Sequence, residues 1–194
     1  MNHYSEAGDI DLMLAVQNDE MEAFNEIVNR YKNRIINFIY RYVMDYHTAE
    51  DLTQETFIRL YLSRKRYQPT ASFSTFIYTI AVNLAKTELK KKSKWKFIPI
   101  SKVKDDGEEF YKEFFFAHRD TEKEISGTFT KEAVLKCLES VNDQFKQALV
   151  LRDIDGLSYD EISEILNVPK GTVKSRINRG RLQLRKKLKK LSQA

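Results

Sequence analysis

The sequence predicts an all-α chain: two small helical domains joined by a flexible linker. Three observations carry that expectation. Apolar residues recur at steps of three and four through most of the chain. Strand-like alternation is nearly absent, Phe97 to Val103 being the one short candidate. Between Trp95 and Ile125 the helical period dissolves around the turn signal Asp105-Asp106-Gly107, and the charge becomes acidic. The expected division is residues 1–94, a linker at 95–126, and residues 127–194. Phe110, Tyr111, Phe114, Phe115 and Phe116 make the linker unusually aromatic, so part of it is expected to be helical or to dock on a partner.

The first long helix is expected from about Glu22 to Met44, where Phe24, Ile27, Val28, Tyr31, Ile35, Phe38, Ile39 and Tyr42 form one stripe. A break at Asp45-Tyr46-His47-Thr48 precedes a helix over Ala49 to Ser63, with Thr48 as its cap, His47 as a helix-start residue and acids at Glu50 and Asp51 in its first turn. The next helix, about Ser74 to Lys92, buries Phe73, Phe76, Ile77, Ile80, Ala81 and Leu84 and gathers Asn83, Lys86 and Lys90 on another face. After the linker the period resumes with Val134, Leu135, Leu138, Val141, Phe145, Leu149 and Val150. Beyond Gly156, Ser158 and Glu161 stand in capping-box spacing, Ile162, Ile165 and Leu166 form a packed face, and Asn167 suits the left-handed conformation that ends a helix. Pro169 suits the first turn of the last helix. There Val173, Ile177, Leu184 and Leu188 face inward and Lys174, Ser175, Asn178, Arg179 and Arg181 outward. Two helices at a tight turn, the second basic on its open side, make a helix-turn-helix that fits a major groove.

Composition narrows the function. With 194 residues, 42% apolar and 31% charged, the chain is a soluble globular protein; it has no window of the roughly eighteen apolar residues a membrane helix needs. Met1-Asn2-His3-Tyr4-Ser5-Glu6 lacks the order of a signal peptide, so the protein is expected to stay in the cytoplasm. The single cysteine, Cys137, excludes an intrachain disulfide, and with three scattered histidines neither a metal site nor a cofactor is expected. The net charge of +5 is uneven: residues 170–194 hold ten Lys or Arg and no acid, and a second basic run spans Lys86, Lys90, Lys91, Lys92, Lys94 and Lys96. Solvated helix ends account for such runs one at a time; two separated basic faces suggest a polyanion touched twice.

The motifs together resemble a family. Gly156 to Leu184, with Gly171-Thr172-Val173-Lys174-Ser175-Arg176 and Arg179-Gly180-Arg181, is similar to region 4 of the extracytoplasmic function (ECF) sigma factors, members of the sigma-70 superfamily of bacterial RNA polymerase initiation factors. Ala49-Glu50-Asp51-Leu52-Thr53-Gln54-Glu55-Thr56-Phe57 resembles the region 2 helix that grips the polymerase clamp. Phe73 to Ala85 resembles the helix that engages the minus-10 element. The order matches, and departures are local: Phe76 stands where Trp is common, Val82 where Arg is frequent, Thr87 at a usual Asp, and Gly180 where Ala is more frequent.

The resemblance implies a non-catalytic factor that binds core RNA polymerase and directs it to promoters, with Asp51, Gln54, Glu55, Phe57 and Ile58 on the polymerase. It places Tyr67, Tyr78, Asn83, Lys86 and Lys90 at single-stranded minus-10 DNA. Thr172, Lys174, Ser175, Asn178 and Arg179 fall at duplex minus-35 DNA. It also implies control by an anti-sigma factor, commonly membrane-anchored, which is expected to cover the Asp51 to Arg59 face and the C-terminal basic face.

The residues read alone agree. Asp51, Gln54 and Glu55 lack the His or carboxylate company of a catalytic site and suit docking. Tyr67, Phe73 and Tyr78 are aromatic enough to stack on unpaired bases beside Arg64, Lys65, Arg66, Lys86 and Lys90, with Phe73 the one best suited to the core; the resemblance further implies that the loop from Tyr67 to Ser72 pockets a flipped base. A free-standing helix-turn-helix regulator would leave Asp51 to Phe57 and Phe73 to Ala85 without a task. A nuclease or phosphodiesterase would need a metal cluster, a nucleophile pair or a phosphate-binding glycine loop, none of which the sequence offers.

Overall fold

In the computed structural model, residues 4–95 and 131–191 are described. All regular elements among them are helical: α1 Asp9–Gln17, α2 Met21–Val43, α3 Tyr46–Ser63, a 3-10 turn Arg64–Arg66, α4 Phe73–Trp95, α5 Lys131–Glu139, α6 Asp143–Leu149 running into a π turn Val150–Ile154, α7 Tyr159–Leu166 and α8 Lys170–Leu191. The one short strand candidate, Phe97 to Val103, and the aromatic part of the linker lie outside the described residues.

The first four helices make one bundle. Ile27, Ile35, Phe38 and Ile39 of α2 are fully buried, as are Leu60 of α3 and Ile77 and Ala81 of α4. Edge-to-face rings, Tyr31 on Phe73 at 5.0 Å and Phe38 on Tyr78 at 5.5 Å, join α2 to α4. Helix α1 was not anticipated: in its nine residues apolar side chains fall on both faces, Ile10 and Leu14 exposed and Leu12, Met13 and Val16 fully buried against the bundle, so no one-sided stripe marks it. Arg30 ties the N-terminal segment to α2, donating to Glu26 at 2.8 Å, to Asp9 at 3.0 Å and to the carbonyls of Ala7 at 2.7 Å, Ser5 at 2.9 Å and Tyr4 at 3.0 Å.

Helix α3 begins three residues before its expected start. Asp45, not Thr48, is the N-cap: its carboxylate accepts the Thr48 N–H at 2.7 Å, and the Thr48 hydroxyl instead accepts from Lys92 of α4 at 3.0 Å. The carboxylate wins because it completes the same cap with a full charge at the positive end of the helix.

In the second half, α6 and α8 cross closely at Gly180, where a Cβ would meet the Phe145 carbonyl oxygen at 3.1 Å. Gly156, at φ +77°, makes the turn into α7 that other residues resist. The two halves pack on each other: α7 lies against α4, and α2 against α5, α6 and the π turn.

Candidate polymerase and nucleic-acid interfaces

Helix α3 buries Thr53, Thr56, Phe57 and Leu60 and turns Asp51, Gln54, Ile58 and Arg59 outward, with Glu55 half-exposed and paired to Arg59 at 2.6 Å. Phe57 therefore does not belong with the expected docking residues: its ring is core. Leu62, which sequence reasoning missed, shares the exposed face of α3 instead. It is 72% exposed and Ile58 53%, and the spacing Asp51, Glu55, Ile58, Leu62 follows one line along the helix. A step of four from Ile58 was the available signal. The result is a mixed apolar and acidic stripe suited to a protein partner.

The minus-10 assignments divide. Asn83 and Lys90 are exposed on α4. Lys86 is half-buried, and burial, followed by the nearby positive charges of Arg176 and Lys90, holds its ammonium below its ordinary pKa. Tyr67 and Tyr78, expected to stack on bases, are packing residues in this arrangement. Tyr67 is held against Phe76 at 5.1 Å and Phe73 at 6.3 Å, and Tyr78 is fully buried against Phe38. Two cations expected to face DNA are also engaged: Arg64 pairs with Asp19 at 2.6 Å and stacks on Tyr61 at 4.0 Å, and Lys65 reaches the same carboxylate at 3.1 Å. The approach to the loop is set by Gln17, whose amide donates to the Arg64 carbonyl at 2.9 Å and the Tyr67 carbonyl at 2.8 Å.

The helix-turn-helix follows its local code. Ser158 Oγ accepts the Glu161 N–H at 3.2 Å, Glu161 Oε2 accepts the Ser158 N–H at 2.9 Å, and Asn167 closes α7 at φ 51°, ψ 55°. Pro169 stands just before α8 rather than inside its first turn, its carbonyl accepting the Thr172 and Val173 N–H groups. Val173, Ile177 and Gly180 are buried; Lys174, Ser175, Asn178 and Arg179 are exposed together and Thr172 partly so. Arg181 is held to Asp153 of the π turn at 2.6 Å, whereas Arg179 has no ion pair among the described residues and lies over the Phe145 ring at 5.9 Å.

The helical bundle and the helix-turn-helix match two family models: "Sigma-70 region 2" over residues 27–94 and "Sigma-70, region 4" over residues 131–184. The ECF RNA polymerase sigma factor SigW of Bacillus subtilis is 35% identical over 176 residues, 91% of this chain and 94% of that protein. The chain belongs to the ECF sigma factors.

The ECF RNA polymerase sigma-E factor of Haemophilus influenzae is 33% identical over 183 residues, 93% of this sigma factor and 95% of its own length. Among solved structures, CnrH in complex with the cytosolic domain of CnrY superposes with a TM-score of 0.68 at 17% identity, covering 93% of this chain and 97% of that one. The sigma factor RpoE of Bartonella quintana, solved with the anti-sigma factor NepR, gives 0.66 at 20% identity over 86% and 96% of the two chains. These two share the fold of this sigma factor. Among its described residues no helix is long and apolar enough to cross a membrane, and no three or more His, Cys, Asp or Glu side chains are grouped to hold a metal ion.

Proposed function

We propose that residues 1–94 hold core RNA polymerase and the melted minus-10 strand, and residues 127–194 read the minus-35 duplex. On this reading α3 docks through Asp51, Gln54, Glu55, Ile58 and Leu62, α4 presents Asn83, Lys86 and Lys90 to the single strand, and α8 places Thr172, Lys174, Ser175, Asn178 and Arg179 in the major groove. The protein acts by binding and not by catalysis, in the cytoplasm. It is restrained by an anti-sigma factor that covers the α3 stripe and the α8 basic face, as the solved Bartonella quintana relative is paired with one. The observation that carries the reading is the exposed α3 stripe, for which a free-standing DNA-binding regulator has no use. The test is co-purification with core polymerase followed by run-off transcription from a promoter library. Start sites with a shared minus-35 and minus-10 pair are expected; duplex binding without any affinity for core would refute it.

A further inference from the structure

The loop that joins the 3-10 turn to α4, residues 67–72, has little to shape it from within. Gln68, Pro69, Thr70 and Ser72 are exposed, and among the described residues its one internal backbone bond runs from the Thr70 N–H to the Gln68 carbonyl at 2.8 Å. Its course is therefore imposed at its two ends. At the exit the Ser72 hydroxyl oxygen accepts the Thr75 N–H at 3.3 Å, and the hydroxyls of Ser72 and Ser74 each reach Glu161 Oε1 of α7 at 2.9 Å. At the entry the constraint comes from α1, within the first bundle itself.

Gln17 is the last residue of α1, and its amide donates to the carbonyls of Arg64 at 2.9 Å and Tyr67 at 2.8 Å, 47 and 50 residues further on. Those two carbonyls bracket the 3-10 turn, so the direction in which the chain leaves Tyr67 is fixed. The grip is returned from the other side. The Lys65 ammonium donates to the Gln17 carbonyl and to Asp19 Oδ2 at 3.1 Å, and the Arg64 guanidinium donates to Asp19 Oδ1 at 2.8 and 2.6 Å. Asp19 stands at φ +67°, a left-handed backbone that residues other than glycine adopt at a cost. The clamp is also tied to something rigid. Leu12, Met13 and Val16 of α1 are fully buried, and Arg30 of α2 holds Asp9, at the opposite end of α1, at 3.0 Å.

The ion pairs are exposed and add little to the folding free energy, so the main consequence of the clamp is order in the loop. A base leaving its stack binds more tightly to a pocket already shaped than to one that must be ordered around it. We propose that Gln17 is a positioning residue for promoter opening: through the Arg64 and Tyr67 carbonyls it holds loop 67–72 ready for an unpaired minus-10 base, and Asp19 keeps the clamp closed. The inference rests on the reading that the first bundle takes the melted minus-10 strand.

The test uses the full chain carrying Gln17→Met, which keeps the length of the side chain and removes its donors. Hydrogen exchange of the free protein should quicken by roughly tenfold at the amides of residues 67–72, the scale of one or two lost hydrogen bonds, and stay unchanged within α2 and α4. Holoenzyme carrying the variant is then run on a promoter recovered from the run-off library with its minus-10 element randomised. Preference at one minus-10 position should flatten by roughly tenfold, while minus-35 preference and the Kd for core hold steady. Gln17→Glu, which sets an oxygen against the two carbonyls, should do more than Gln17→Met. Unchanged exchange in residues 67–72 overturns the positioning role. Faster exchange with an unaltered minus-10 preference, or an equal loss on every promoter, overturns the assignment of the loop to an unpaired base. If Gln17→Met does not fold, Asp19→Gly decides by the same measurements, because glycine suits φ +67° and the change removes the carboxylate that holds Arg64 and Lys65. A wild-type chain with no affinity for core would refute the function proposed above without touching the exchange result.

Discussion

Replacing Ile58 and Leu62 with alanine should weaken the hold on core polymerase without weakening the fold. In the free protein 53% of Ile58 and 72% of Leu62 is exposed, so most of each side chain remains to be covered by a partner. Full burial of such a residue is worth about 1.5–3 kcal/mol, so the portions left for an interface amount to about 2–4 kcal/mol for the pair. At 1.4 kcal/mol per factor of ten this is a loss of roughly 20- to 500-fold in Kd. Because neither side chain supports the core, the folding free energy should move by less than about 0.5 kcal/mol. The neighbouring Glu55–Arg59 pair is exposed and contributes little either way, so it does not confuse the comparison. The assay is competition for core against a fluorescent wild-type chain, with urea unfolding in parallel. An unchanged Kd with an unchanged unfolding midpoint would refute the placement of the docking stripe, whereas Phe57→Ala should do the reverse, lowering stability first because its ring is buried.

Gly180→Val should destabilise the second domain by about 1–3 kcal/mol in chemical unfolding, because its Cβ meets a backbone oxygen of α6 that cannot turn aside. Minus-35 binding should fall with it, and a neutral result would mean that α6 and α8 do not cross at this point. For Arg179→Ala, a library of minus-35 sequences should show altered preference at one base pair and a loss of about 1–3 kcal/mol there, while Lys186→Ala with Lys187→Ala should weaken all sequences alike and lower the salt slope by about one to two units. The opposite pattern would mean that α8 is docked differently. Stability should decline in acid. Hydrogen bonds from Arg64 and Lys65 lower the Asp19 carboxyl. At Asp45 and Glu161 partial burial pushes upward but is outweighed, by Thr48 with Lys92 at Asp45 and by Ser158, Ser72 and Ser74 at Glu161. A depressed carboxylate contributes its full stabilisation above its unfolded value of about 4 and loses it as pH falls through the folded value. Urea midpoints from pH 7 to pH 3 should therefore fall below about pH 4.5, and Glu161→Gln, which keeps the capping box, should flatten part of that slope.

The sequence alone determined what is local. The stripe of α2, the Ser158 and Glu161 box, the left-handed Asn167 and the outward face of Lys174, Ser175, Asn178 and Arg179 are all written within a few residues of themselves, because capping and helical period act over one or two turns. Tertiary structure decided whatever depends on residues far apart in the chain. An aromatic at Phe57, Tyr67 or Tyr78 reads equally well as core or as contact, since period reports that a face is apolar and not what lies against it. Arg64 and Lys65 looked like open cations until Asp19, about 45 residues earlier, met them. Helix α1 is too short to announce itself and exists because the bundle buries Leu12, Met13 and Val16. Glu161 shows the division in one side chain: the oxygen that caps its own helix was legible at three residues' spacing. The oxygen that takes Ser72 and Ser74 was not, because those partners stand 89 and 87 residues away and only folding brings them within hydrogen-bond range.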